Sequence, residues 1–158
     1  MGLVLTRSVG GGIPGLAITV INGQPMLTLE DTTRGNKKLS VGEQVLSYSE
    51  ANLTNLDWIE IGNASDADTG YIADFDGTVV YGTGHCENTG ANMKDIHLFI
   101  NAVDNGSIGT LMGGANATFN NNVLNLDFSQ GDNVRLRAVG ASGAIGDTVV
   151  KLTCKWRG

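Results

Sequence analysis

Asn122-Val-Leu-Asn-Leu-Asp-Phe128, Val134-Arg-Leu-Arg-Ala-Val139 and Asp147-Thr-Val-Val-Lys-Leu-Thr-Cys-Lys-Trp156 share one alternation. Leu124, Leu126 and Phe128 take turns with Asn125 and Asp127; Val134, Leu136 and Ala138 with Arg135 and Arg137; Val150, Leu152, Cys154 and Trp156 with Lys151, Thr153 and Lys155. Period-two alternation over consecutive segments predicts antiparallel strands with one face buried and the other wet. The larger apolar members are therefore the expected core. Nothing in these segments is arranged for chemistry, so they read as part of a structural or binding module.

Upstream the same reading yields shorter strands. Residues 2–6, Leu16–Ile21, Met26–Glu30, Gln44–Ser49, Asp57–Ile61, Thr78–Thr83, Asp95–Val103, Ser107–Leu111 and Ala117–Phe119 are strand-like. Residues 50–56 could form one helical turn, Asn63–Gly70 reads as a loop, and Gln130-Gly-Asp-Asn133 as a hairpin turn. No apolar pattern at helical spacing persists for three turns. Glycine (23 residues) and asparagine (15) supply turns throughout a 158-residue chain with 2 prolines, as an all-β chain requires. The polar segment Asp31–Lys38 marks the best boundary, between an N-terminal β-arm or small sheet (1–38) and a larger domain (39–158).

Net charge is −6, and residues 43–87 hold nine acidic groups with no lysine or arginine. Such a stretch repels phosphate backbones, so nucleic acid is not an expected partner. It reads as a solvated rim, with a cation site or a basic partner as the alternatives. No run is long enough to span a membrane, and no basic-then-apolar leader opens the sequence, which favours synthesis in a cytoplasm.

Chemistry finds little support. Gly10-Gly-Gly-Ile-Pro-Gly15 has the spacing of a dinucleotide fingerprint but runs into a strand-like segment, where a helix is needed to present amides to phosphate. His85, Cys86, His97 and Cys154 are too few and too scattered for a zinc site once Cys154 joins a core face. A Cys86–Cys154 bridge stays open. Asp66-Ala-Asp68 and Asp74-Phe-Asp-Gly77 resemble fragments of calcium loops but lack the terminal bidentate glutamate and a third oxygen ligand, and Asp/Gly turns explain them without a metal. No serine sits in a nucleophile turn. The expectation is no catalytic residue, no metal and no cofactor.

From Gln130-Gly-Asp-Asn133 onward, a strand of alternate apolar residues, a Gly-Asp turn, Val-x-Leu-x-Ala and a last strand ending near Trp156 form a pattern. It resembles the terminal half of the jelly rolls of tumour-necrosis-factor and complement-type globular heads. Ile96-His-Leu-Phe-Ile-Asn-Ala-Val-Asp-Asn-Gly106 followed by Gly109-Thr-Leu111 resembles their middle strands, where a hairpin presents Asp-Asn-Gly. The likeness covers about residues 44–158. It implies a trimeric head, of a kind that occurs in bacteriophage virions as fibre tips and capsid decorations. Leu3-Val-Leu-Thr-Arg-Ser-Val-Gly10 with Ile18-Thr-Val20 resembles the opening of the carbon-storage-regulator family, but that family's Val-Arg-hydrophobic-Gly segment is replaced by Met26-Leu-Thr-Leu29, so RNA binding is not implied.

The expected fold is an all-β, jelly-roll-like antiparallel sandwich carrying a short N-terminal β-arm. The resemblance implies a non-enzymatic capsid-decorating or cement protein of the phage virion, a homotrimer bound to the major capsid protein or another virion protein, with no nucleic acid or membrane partner. A fibre-tip adhesin for a host glycan and a cellular carbohydrate-binding module are the alternatives. The expected anchor is the arm, through strand pairing, burial of Leu3, Leu5, Leu16, Ile18 and Val20, and the charge of Arg7, Arg34, Lys37 and Lys38 acting on an acidic partner in a salt-sensitive way.

Overall fold

The computed structural model describes residues 15–21, 23–61, 70–88, 92–112 and 115–157. The strand expected at 2–6, residues 63–69 of the loop expected at 63–70, and Leu3, Leu5 and Arg7 lie outside the described residues.

Two sheets organise the described residues. Strands β1 (Ala17–Ile21), β2 (Gln24–Asp31) and β3 (Lys37–Ser40) form a small antiparallel sheet in that order. The large sheet follows: β4 (Gln44–Leu53), β5 (Trp58–Ile61), β6 (Tyr71–Ile72), β7 (Gly77–Asn88), β8 (Lys94–Ile100), β9 (Val103–Leu111), β10 (Ala115–Asn121), β11 (Leu126–Phe128), β12 (Asn133–Gly140) and β13 (Ile145–Trp156). Its order is β10-β7-β13-β4-β5-β12-β8-β9, with β11 beside β7 and β6 beside β12.

That path folds into two walls. β4 and β5 share only the pairs Tyr48–Ile61 and Ser49–Glu60, so the sheet turns a corner there. One wall is β10-β7-β13-β4 and the other β5-β12-β8-β9. The chain crosses between walls at most connections; β5 to β6, β8 to β9 and β10 to β11 stay within one wall, and of these β8 and β9 pair with each other, a jelly-roll-like path. The two ends of the path meet: Asn121 Nδ2 donates to Ile108 O at 3.0 Å, and the Phe119 ring lies over Gly84 and Gly109 from opposite walls. A side chain at either glycine would occupy the space of that ring, so the seam closes because both residues lack a Cβ.

Between the walls lies the core. Leu124, Phe128, Val134, Leu136, Val150 and Leu152 are buried in it, and Leu126 and Trp156 pack half-buried against it. Tyr48 is fully buried on β4, and its hydroxyl donates to Val134 O on β12 at 2.9 Å, tying wall to wall. Among the alternate residues, Arg135 departs from the wet face. It is buried, with its guanidinium 4.2 Å from the Trp58 ring centre, because an aromatic neighbour covers it without changing the register.

Three local expectations are corrected. Residues 50–53 continue β4 and no helical turn forms at 50–56, since Glu50 and Asn52 pair with Thr148 and Gly146 of β13. Gln130–Asn133 does lie in a turn, with Asp132 N on Ser129 O at 3.0 Å and Gly131 at φ +87°, but its flanking strands β11 and β12 sit in opposite walls. It is a crossover that docks on Ala73 rather than a hairpin. The β8–β9 hairpin turns at Asn101-Ala102, both at positive φ, as a two-residue mirror-image turn demands. Asn101 is held there by main-chain and side-chain bonds to Asn133 and Asp132, while Asp104-Asn-Gly106 sits in β9 beside a register shift.

Candidate docking surface

The small sheet is joined to the large one, and most of the joint is built from its charges. After β2 the chain makes a 3-10 turn at Thr32–Arg34, started by Asp31, whose carboxylate accepts from Thr33 N and Oγ1 at 3.0 and 2.6 Å. Gly35 and Asn36, both at positive φ, then reverse it. Arg34 consequently points into the sandwich: Nε donates to Leu124 O at 2.6 Å, Nη2 to Val80 O and Asn122 O at 2.7 and 2.9 Å, and Nη1 to Asp31 at 2.6 Å. Lys37 donates to Asn125 and Asp127, at 2.5 and 2.6 Å, and Arg157 meets the same Asp127 at 2.5 Å. Trp156 N donates to Ser40 Oγ at 3.0 Å, and Leu39 is buried beside Arg157.

Burial alone would raise the pKa of both carboxylates, but their partners win. Thr33 and Arg34 hold Asp31 below the ordinary carboxylate value; Lys37, the Thr78 hydroxyl and Arg157 do the same for Asp127.

On this mount one face of the sheet is covered at β3, where Leu39 is buried, and uncovered by the described residues along β1 and β2. Ile18 pairs with Leu27, and Leu29 with the buried Leu39, so Leu16, Ile18, Val20, Leu27 and Leu29 share a side. All five are exposed, Val20 to 67%. The opposite side carries the Thr19–Thr28 hydroxyl bond at 2.8 Å, with Thr28 and Ile21 buried.

The same residues own the sheet's outer edge. Glu30 N donates to Gly15 O at 3.3 Å, in register with the pairs Ala17–Thr28 and Thr19–Met26. Antiparallel pairs alternate between bonded and non-bonded, so Ala17, Thr19 and Ile21 turn their main-chain groups toward β2. Leu16, Ile18 and Val20 turn theirs outward, where no described residue pairs with them. Pro25, which lacks an N–H, falls opposite Val20, where β2 donates nothing toward β1.

Of the sequence-derived anchor residues, the structure brings Leu16, Ile18 and Val20 together. Arg34 and Lys37 bind the sandwich, and Lys38 is exposed on the opposite face, across from Glu30. Leu27 and Leu29 belong to the patch and were missed; their alternation was visible, but their strand partner was not.

Elsewhere chemistry is sparse. Cys86 and Cys154 are free and buried, and burial pushes the Cys154 thiol up to about 12 and raises Cys86 as well. His97 pairs with Asp104 at 2.9 Å. Asp76 accepts from Gln130 N at 2.8 Å and Asp74 lies beside the Tyr71 hydroxyl, while Asp66 and Asp68 lie outside the described residues. Among the described residues no three His, Cys, Asp or Glu assemble as metal ligands. Both tryptophans are covered: Trp58 by Arg135 and Arg137, Trp156 by Phe75 at 4.7 Å.

No protein-family model matches the chain and no curated protein is similar to it in sequence, so the likeness of its opening to the carbon-storage-regulator family is unsupported. Among solved structures it is similar to the PRD1 vertex protein P5, with a TM-score of 0.41 and 13% identity, over 98% of this chain and 87% of that one.

Proposed function

We propose that the chain is a non-enzymatic structural protein of a phage virion, decorating or cementing the shell as a homotrimer. Its anchor is the small N-terminal sheet. One observation carries the reading: Leu16, Ile18 and Val20, whose side chains form the exposed apolar patch, also own a strand edge that has no partner among the described residues. A partner strand laid along β1 would satisfy that edge and cover the face in one step. The joint supports this, since Arg34 and Lys37 tie the anchor to the jelly-roll-like body. Because those two cations are spent on Asp31, Asp127 and main-chain carbonyls, docking is dominated by apolar burial and strand pairing, with a smaller salt dependence than the sequence suggested.

The test uses shells that lack the protein. Native chain is expected to sediment with them, and a variant carrying Ile18→Asp and Val20→Asp to stay in solution while keeping its fold and its mass. Light scattering is expected to give roughly three chain masses, as stable apolar oligomer interfaces hold at micromolar concentration. Binding retained by the double aspartate variant would move the anchor to the sandwich, and a monomeric mass would remove the trimer.

A further inference from the structure

A second feature is independent of the docking face. Where the small sheet's turn meets the sandwich there is a cleft of about 260 Å³. Its floor is one row across the outer face of the large sheet: Tyr81 on β7 pairs with Thr153 on β13, and Asn122 follows the end of β10 next to them. Arg34, Glu43 and Lys155 form its sides.

The charges in this cleft are already matched. Every nitrogen of Arg34 donates, to Asp31, Thr33 or the carbonyls of Val80, Asn122 and Leu124, and Lys155 faces Glu43 at 3.4 Å. An anionic ligand would find no uncompensated cation. What stays uncommitted is polar and neutral: the Asn122 amide and the Thr153 hydroxyl have no hydrogen-bond partner among the described residues. Beside them is the half-exposed ring of Tyr81, fixed by its hydroxyl on Asn120 Oδ1 at 3.0 Å.

An amide offers two donors and an acceptor, a hydroxyl offers both roles, and an anchored phenol offers a flat apolar face with a polar tip. That set matches a ligand whose hydroxyls both donate and accept and whose ring carries C–H groups. We propose that this cleft is a subsite for a neutral pyranose sugar, with Tyr81 under the ring and Asn122, Thr153 and the Glu43–Lys155 pair on its hydroxyls.

Saturation-transfer NMR on the full chain, with glucose, galactose and N-acetylglucosamine as separate probes and glucuronate as the anionic control, tests this. Transfer to at least one neutral sugar is expected at about 10 mM, in the weak millimolar range of small polar ligands. Tyr81→Ala and, independently, the exposed Asn122→Ala are each expected to weaken it about tenfold. His85→Ala, outside the cleft, should leave it unchanged. Thermal midpoints of all three variants show whether each remains folded, and Asn122→Ala carries the test if Tyr81→Ala does not. No transfer to any neutral sugar, transfer indifferent to both cleft variants, or a strong preference for glucuronate would overturn the proposal.

Discussion

The two sheets use alternation in opposite ways. In the sandwich, the apolar side of every long strand meets another wall, and Val134, Leu136, Val150 and Leu152 are fully buried. In the small sheet an equally regular series, Leu16, Ile18, Val20, then Leu27 and Leu29, faces solvent. The difference is one of partners, since a single three-stranded layer has two faces and the body covers only part of it. An apolar stripe therefore records that a face is meant to be covered, without saying by what. In the sandwich the cover is the same chain; on the small sheet we assign it to another.

If that contrast is real, mutations of equal chemistry should have unequal effects. The largest loss is expected inside the sandwich. Phe128 is buried over Gly77, and Phe128→Ala should lower unfolding stability by about 3–5 kcal/mol in denaturant titrations. A loss under about 1 kcal/mol would mean that β11 is not packed in this register.

The joint between the regions comes next. Arg34→Ala removes a charged donor from three carbonyls and Asp31, and should cost about 2–3 kcal/mol. Lys in its place cannot reach several acceptors at once and should recover little. If Arg34→Ala leaves stability unchanged, the small sheet is held by Lys37, Leu39, Ser40 and Arg157.

Sequence made the sandwich legible because each wall is a long-range echo of one local rule, period two. The strands of the closing third, from Leu126 to Trp156, could be placed from that rule. Connections were harder: the Gln130–Asn133 turn is real, yet whether a turn closes a hairpin or crosses between walls depends on strands many residues away. The anchor was half legible. Leu16, Ile18 and Val20 announce a strand, but the use of Arg34 and Lys37 depends on carbonyls and carboxylates around 80 and 122–127, which no local pattern reveals. Composition counted those cations as free charge; the fold spends them.

Acid should loosen the joint before the core. Asp31 and Asp127 are held below the ordinary carboxylate value in the folded state, so their contribution is fully present above the unfolded value of about 3.9. It fades as pH falls through the lower folded values. Thermal midpoints measured from about pH 6 down to about pH 2 should fall, and Asp127→Asn should flatten that fall while lowering the neutral-pH midpoint slightly. An identical acid profile in the variant would show that Asp127 contributes nothing to the joint.

The smallest expected effect on stability sharpens the comparison most. Val20→Thr keeps the branched shape that suits a strand and trades a methyl for a hydroxyl on a side chain already 67% exposed. A surface change of this kind should move stability by no more than about 0.5 kcal/mol. At Val150, fully buried on β13, the same substitution places a hydroxyl in an apolar core and should cost about 1–3 kcal/mol. On the docking reading the order reverses once a shell is present. Val20→Thr should then weaken attachment several-fold, because the apolar surface that matters at Val20 is buried only in the complex, whereas Val150→Thr should leave the attachment of folded protein unchanged. If Val20→Thr is silent in both assays, the bare face of the small sheet has no partner at that residue, and the exposed stripe is ordinary surface.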